Sequence, residues 1–205
     1  YIAENLSARA TEFAARINDQ VGGRSGDKEV DASINALFTW AAWADKYDGR
    51  AKGVPIRGVA LAMNEPVGTI GVLCPDAHPL LGLVASTAPA IAMGNTVTAV
   101  ASHAYPLSAL DFSQILETSD LPGGVLNILT GNPVELSKTL ADHLNVDAVW
   151  SFTAEDVAKH IEAASSGNLK RTWVETTTRD WTKPDAQAFL TQATEVKTIW
   201  IPYGE

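Results

Sequence analysis

The one thiol in this sequence, Cys74, has an imidazole four residues on in the run Cys74-Pro75-Asp76-Ala77-His78. A cysteine activated by a nearby histidine is a nucleophile, provided that a third group orients the base. Pro75 and Pro79 bracket His78, and no orienting group is evident. Cys74 also ends the apolar run Ile70-Gly71-Val72-Leu73, where a buried thiol has a raised pKa and behaves as a small hydrophobe. Glu175 is a second candidate, a carboxylate with Arg179 four residues later. A general base needs a reacting group within hydrogen-bond reach; lacking one, Glu175 is expected to be solvated or paired with Arg179. His103, His143 and His160 show no metal-type spacing with one another or with Cys74. The remaining Asp and Glu are spread along solvent faces of helices. The expectation is that this chain has no catalytic, cofactor-binding or metal-binding residue of its own.

The elements around these residues follow from hydrophobic periodicity. Ile2, Leu6, Phe13, Ile17 and Val21 recur at helical spacing and Gly22-Gly23 stops them. A second helix is predicted from about Lys28 to Asp48, with Val30, Ile34, Leu37, Phe38, Ala41 and Tyr47 on its apolar side, broadened by Trp40 and Trp43. Val54–Ile56 and Val59–Met63, joined through Arg57-Gly58, read as a hairpin. From Gly68 onward strands and helices alternate. Strands are predicted at Thr69–Cys74, Thr96–Val100, Val125–Leu129, Ala148–Phe152 and Lys170–Glu175. Helices are predicted at Pro79–Met93, Pro106–Thr118, Pro133–Asp142 and Ala154–Ser165. Strands that are apolar on both faces belong to a covered parallel sheet, so the fold class is α/β, a doubly wound sheet with right-handed crossovers.

Composition narrows the partners. Lys and Arg number 15 against 24 Asp and Glu, a net charge of −9, with a pI near 4.9; nucleic acid and anionic membrane are poor matches. A single cysteine precludes an internal disulfide framework and fits a reducing compartment, so a cytoplasmic location is expected. Residues 1–21 are amphipathic and charged throughout, unlike a signal peptide. The most apolar region, Leu80–Met93, is too short to span a membrane and is interrupted by Pro89. The sequon Asn5-Leu6-Ser7 reads as chance.

Several blocks, in order, resemble the aldehyde dehydrogenase superfamily: Ala42-Trp43-Ala44-Asp45-Lys46, Asn64-Glu65-Pro66-Val67-Gly68, Ala88-Pro89-Ala90-Ile91-Ala92-Met93-Gly94-Asn95-Thr96-Val97, Leu121-Pro122-Gly123-Gly124-Val125-Leu126-Asn127-Ile128-Leu129-Thr130-Gly131, Ser151-Phe152-Thr153, Asn168-Leu169-Lys170-Arg171 and Glu195-Val196-Lys197-Thr198-Ile199-Trp200-Ile201-Pro202. The resemblance implies a Rossmann-like domain of the aldehyde dehydrogenase cofactor-domain type. It also implies N-terminal helices over 1–52, the hairpin of an antiparallel oligomerisation element over 53–64, a degenerate dinucleotide-binding-type domain over 65–189 and a C-terminal oligomerisation strand within 190–205.

Set against the family pattern, the positions that carry chemistry are altered. Where the family reads Pro-Trp-Asn-Phe-Pro, this chain has Pro75-Asp76-Ala77-His78-Pro79, and Ala77 replaces an oxyanion donor of a kind worth about 3–4 kcal/mol of barrier. Val100-Ala101-Ser102 stands in place of Lys-Pro-Ser, whose Lys contacts the ribose. Ala154 replaces the glycine that opens a helix beneath the pyrophosphate, and Glu155 and Asp156 follow it. Two carboxylates in a first turn stabilise the helix and repel a diphosphate. Glu175 aligns with the family's general-base Glu, but in the segment Val174-Glu175-Thr176-Thr177-Thr178-Arg179 without the glycines.

In a full-length member the catalytic domain with its cysteine nucleophile lies between the last two blocks; here only Thr176–Thr194 separates them. The chain therefore resembles the degenerate second, C-terminal module of a family-sixteen aldehyde dehydrogenase, lacking the catalytic domain, and its opening on Tyr1 within a helix suggests a piece of something longer. The resemblance implies a non-catalytic module of an oxidoreductase whose parent polypeptide oxidises aldehydes with NAD. Its expected partner is an active aldehyde dehydrogenase domain, in cis or in a dimer, with homo-oligomer contacts through Glu195, Val196, Thr198, Ile199, Trp200 and Ile201, since an exposed edge strand templates another. The alternatives are a non-reactive NAD-binding regulatory module and a free-standing enzyme with a new site.

Overall fold

The computed structural model describes residues 1–183 and 185–202; Pro184 and the last three residues of the C-terminal segment lie outside them. Three helices come first, α1 (Ile2–Ala8), α2 (Ala10–Val21) and α3 (Gly26–Trp43). Strands β1 (Arg50–Lys52) and β2 (Gly58–Pro66) follow. The alternating region comprises β3 (Thr69–Leu73), α4 (Pro79–Ala92), β4 (Thr96–Val100), α5 (Leu107–Glu117), β5 (Leu126–Leu129), α6 (Pro133–Asp142), β6 (Ala148–Ser151), α7 (Glu155–Ser165) and β7 (Arg171–Val174). Helix α8 (Ala186–Ala193) and strand β8 (Thr194–Pro202) close the described chain.

Strands β3 to β7 form one parallel sheet in the order β5-β4-β3-β6-β7. That is the doubly wound α/β arrangement expected from the alternation. The predicted two-faced strand is explained by its neighbours. Ile70, Val72 and Cys74 face the larger core, with α3, α4 and α5, whereas Leu73 joins Val149, Val157 and Ile161 in a second core under α6 and α7. Gly71 sits on that second side because Leu140 of α6 presses so close that a Cβ there would meet it at 3.1 Å.

Several expectations are corrected. The helix over residues 2–21 is broken at Arg9 (φ −110°, ψ 17°). The break lets Leu6 of α1 and Phe13 and Ile17 of α2 all reach the same core. The second helix ends at Trp43, five residues before Asp48, and Phe38, expected on its apolar side, is half exposed. Gly26 starts that helix because α2 passes so near that a Cβ would meet the Ala14 carbonyl oxygen at 2.2 Å.

The hairpin is displaced. Its first strand is the polar segment Arg50–Lys52, pairing Arg50 with Ala62 and Lys52 with Ala60, and Val54–Ile56 lies in the connection. Pro55 has no N–H for a ladder, which disfavours the apolar segment as a strand. Helix α8 went unforeseen within the stretch 176–194. Its signal is local: Asp185 caps it by accepting from the Ala188 amide at 3.1 Å.

Strand β8 does not stand alone. It pairs antiparallel with β2 of the same chain over nine residues, from Gly58 with Pro202 to Pro66 with Thr194. The small sheet is ordered β1-β2-β8, so one edge of β8 is taken and the other has no strand partner among the described residues. Val196, Ile199, Trp200 and Ile201 on it are all exposed.

Candidate functional site

Ligands of doubly wound sheets bind beyond the carboxyl ends of the strands, where the strand order reverses. In this chain the reversal falls at β3, which has β4 on one side and β6 on the other. A crevice of about 440 Å³ lies there, walled by the loops after β3, β6 and β7. Its described lining includes Asp76, Ala77, Thr153, Asp156, Glu175 and Arg179.

The loop after β3 is held by charges that are already satisfied. Asp76 Oδ1 accepts from the Ser102 hydroxyl at 2.8 Å and the Ala104 amide at 3.1 Å, tying this loop to the one after β4. Ser102 is therefore engaged inside the protein. Gly82 of α4 allows Pro75 to pack against the helix; a Cβ there would lie 2.6 Å from Pro75 Cγ. His78 adopts a left-handed backbone (φ 56°) at the N-cap of α4, an uncommon conformation for a residue with a Cβ.

The free amides at the start of α4 are where a doubly wound fold would offer positive potential to an anion. They are occupied from within. Glu29 of α3, only 4% exposed, accepts from the Leu80 amide at 2.8 Å and the Leu81 amide at 3.2 Å. Its other oxygen lies 3.7 Å from His78 Nδ1. Glu29 was missed from sequence, although a signal exists: it falls in helical register with Ser33, Ala36 and Trp40 on the buried face of α3. A carboxylate on such a face needs a partner.

The Cys74 sulfur lies 3.7 Å from the Ser86 hydroxyl, and burial pushes the thiol up to about 12. Near neutral pH it is a protonated thiol, a poor nucleophile.

At the opposite wall Glu175 takes the paired alternative. Arg179 Nε donates to Glu175 Oε2 at 2.8 Å and Nη2 donates to Oε1, a two-pronged clamp. Helix α7 begins at Glu155, after Ala154, which contributes no side-chain cap; Glu155 is engaged by Lys159 at 2.7 Å while Asp156 lines the crevice. Among the described lining residues Arg179 is the one permanent cation, and Glu175 neutralises it.

The histidines sit in separate settings. His103 Nδ1 is 3.0 Å from the Gly131 carbonyl oxygen, and His143 Nδ1 accepts from the Asn145 amide at 3.2 Å. Nε2 of His160 is buried without a partner among the described residues. No group of three His, Cys, Asp or Glu among the described residues is placed to hold a metal ion. No helix among them is long and apolar enough to cross a membrane.

Comparison with known proteins adds family context to this geometry. Residues 1–188 match the model described as the aldehyde dehydrogenase family. Cytosolic aldehyde dehydrogenase 1 of Elephantulus edwardii is 34% identical over 150 residues, which cover 72% of this chain and 30% of that protein. Human cytosolic 10-formyltetrahydrofolate dehydrogenase is 32% identical over 151 residues, or 71% of this chain and 17% of that protein. The chain thus spans less than a third of the length of these relatives. Among solved structures, PnpE in complex with nicotinamide adenine dinucleotide superposes with a TM-score of 0.82 at 25% identity, covering 85% of this chain and 37% of that one. PnpE comes from Pseudomonas sp. WBC-3.

Proposed function

The chain belongs to the aldehyde dehydrogenase family, and from that membership we propose that it is a non-catalytic module that supports and assembles an active aldehyde dehydrogenase domain. The active domain lies in the same polypeptide or in a dimer partner, and aldehyde oxidation with NAD belongs to it. The carrying observation is the edge of β8 that has no strand partner among the described residues. Val196, Ile199, Trp200 and Ile201 are exposed along an edge strand, and such an edge templates a further strand. Docking runs through Glu195, Val196, Thr198, Ile199, Trp200 and Ile201, which also join copies of the module into a homo-oligomer. The four segments 1–52, 53–64, 65–189 and 190–205 divide the labour, the second and last forming the assembly element together with β1 at the end of the first. The buried, unbridged Cys74 accords with a cytoplasmic location.

The crevice supports the non-catalytic half of the reading. Asp76 and Asp156 line the crevice and would repel a diphosphate, Glu29 fills the amides of α4, and Ala77 carries no side-chain donor. These residues do not fit NAD. The test of assembly is light scattering of the chain with an active aldehyde dehydrogenase domain. Trp200→Ala with Ile199→Asp is expected to weaken assembly roughly tenfold or more, as loss of an interface anchor does, while leaving the helical circular dichroism intact. Assembly unchanged by that double variant would refute the proposal.

A second reading, a non-reactive NAD-binding regulatory module, is favoured by one observation: the crevice lies at the switch point of a fold that superposes on an NAD complex. Calorimetric titration separates the two. Micromolar affinity for NAD would establish the second reading, and no heat of binding supports the first.

A further inference from the structure

Arg179 is held by more than its carboxylate. Its guanidinium carbon lies 5.2 Å from the ring centroid of Phe189, 5.3 Å from Trp173, 5.7 Å from Trp181 and 5.9 Å from Phe152. The four rings brace one another edge to face: Trp173 and Phe189 centroids are 4.8 Å apart, Phe152 and Trp181 5.0 Å, and Phe152 and Trp173 5.3 Å. Phe189 and Trp181 are themselves buried in the main core. Side-chain packing, independent of the cation, therefore fixes the box.

Rings around a cation, backed by a carboxylate, are how proteins recognise organic cations. Here Glu175 supplies the carboxylate. The box also opens to the crevice, since Phe152, Trp181, Glu175 and Arg179 all line it. Asp76 and Asp156 line the same space, so its field favours a positive guest. Arg179 itself arrives on a segment outside any helix or strand, next to exposed Thr176, Thr177 and Thr178. Arg179 lies outside the β7 ladder, so displacing its side chain breaks no strand pairing.

We infer that this crevice is a binding site for an alkylguanidinium group, and that Arg179 is its built-in occupant, an internal plug that an external guanidinium ligand competes with. The inference is independent of the assembly proposal, because it concerns the crevice and not the edge of β8. The box holds a guanidinium in every respect the site needs: aromatic faces at cation–π distance, a two-pronged acceptor and a neutralising charge.

The experiment titrates millimolar methylguanidinium into the full chain and its Arg179→Ala variant, following tryptophan fluorescence, because Trp173 and Trp181 form two walls. Sodium chloride at equal ionic strength is the control. Arg179→Ala should give a saturable change with a midpoint roughly tenfold or more below that of the wild type, the difference that internal competition imposes. Methylguanidinium should also raise the melting temperature of the variant, by mass action on the folded state. Arg179→Met, which keeps the stem of the side chain, carries the same test if the alanine variant does not fold. Adding Glu175→Gln to either variant should abolish the saturable phase. A response equal in wild type and variant, or no different from sodium chloride, would overturn the inference.

Discussion

Removing the Glu29 carboxylate tests how the start of α4 is closed. Glu29→Ala deletes the acceptor of the Leu80 and Leu81 amides, at 2.8 and 3.2 Å, in a setting where Glu29 is only 4% exposed. Each buried amide left without a partner costs about 1–3 kcal/mol. The space vacated between α3 and α4 adds about 1 kcal/mol more. The total is about 3–7 kcal/mol, or a fall in melting temperature of roughly 6–28 °C for a chain of this size. Glu29→Gln keeps an acceptor oxygen but loses the charge that complements the helix dipole, a loss of about 1–2 kcal/mol. Urea unfolding followed by tryptophan fluorescence measures both, with the alanine variant expected to lose at least twice as much as the glutamine variant. If Glu29→Ala unfolds within about 1 kcal/mol of the wild type at unchanged m, the amides are satisfied some other way and the assignment of Glu29 as internal anion is wrong.

Cys74 makes a pH prediction. Its thiol is raised in the folded chain from 9.0 to about 12, so the protonated form is favoured by folding. That contribution is complete below about pH 9 and is lost as pH rises toward 12, amounting to about 4 kcal/mol at the upper end. Stability curves from pH 8 to 11 should fall more steeply for the wild type than for Cys74→Ala, and a thiol reagent at pH 8 should label Cys74 only in denaturant. Asn95, 2% exposed, accepts from the Gly68 amide and donates to the Ala90 and Ala193 carbonyls, all at 2.9 Å. Asn95→Ala should cost about 2–4 kcal/mol, and hydrogen exchange should rise at the junction of α8 and β8 before it rises in β3. No such local increase would mean that Asn95 does not anchor β8.

The amino-acid order alone carried the α/β layering, because apolar strand segments such as Ile70–Leu73 alternate with amphipathic helical ones, and burial on two faces leaves that imprint locally. It also offered the pairing of Glu175 with Arg179 as one of two settings, since those partners lie four residues apart, whereas the altered positions at Ala77, Val100 and Ala154 came from the family resemblance. Contacts made across long separations were decided only in three dimensions. Glu29 reaches Leu80 across 51 residues, and its charge had no visible addressee until α3 was laid on α4. The hairpin moved to Arg50–Lys52 because pairing depends on which strand β2 meets and on Pro55, not on the apolar character of Val54–Ile56. The box around Arg179 draws on Trp173 of β7, Phe189 of α8, and Phe152 and Trp181 from two loops, and aromatic side chains spaced this way read along the chain as ordinary core. Likewise β8 was legible as a strand, while its partner was not, because a ladder's hydrogen bonds join backbones and leave little trace in side-chain order.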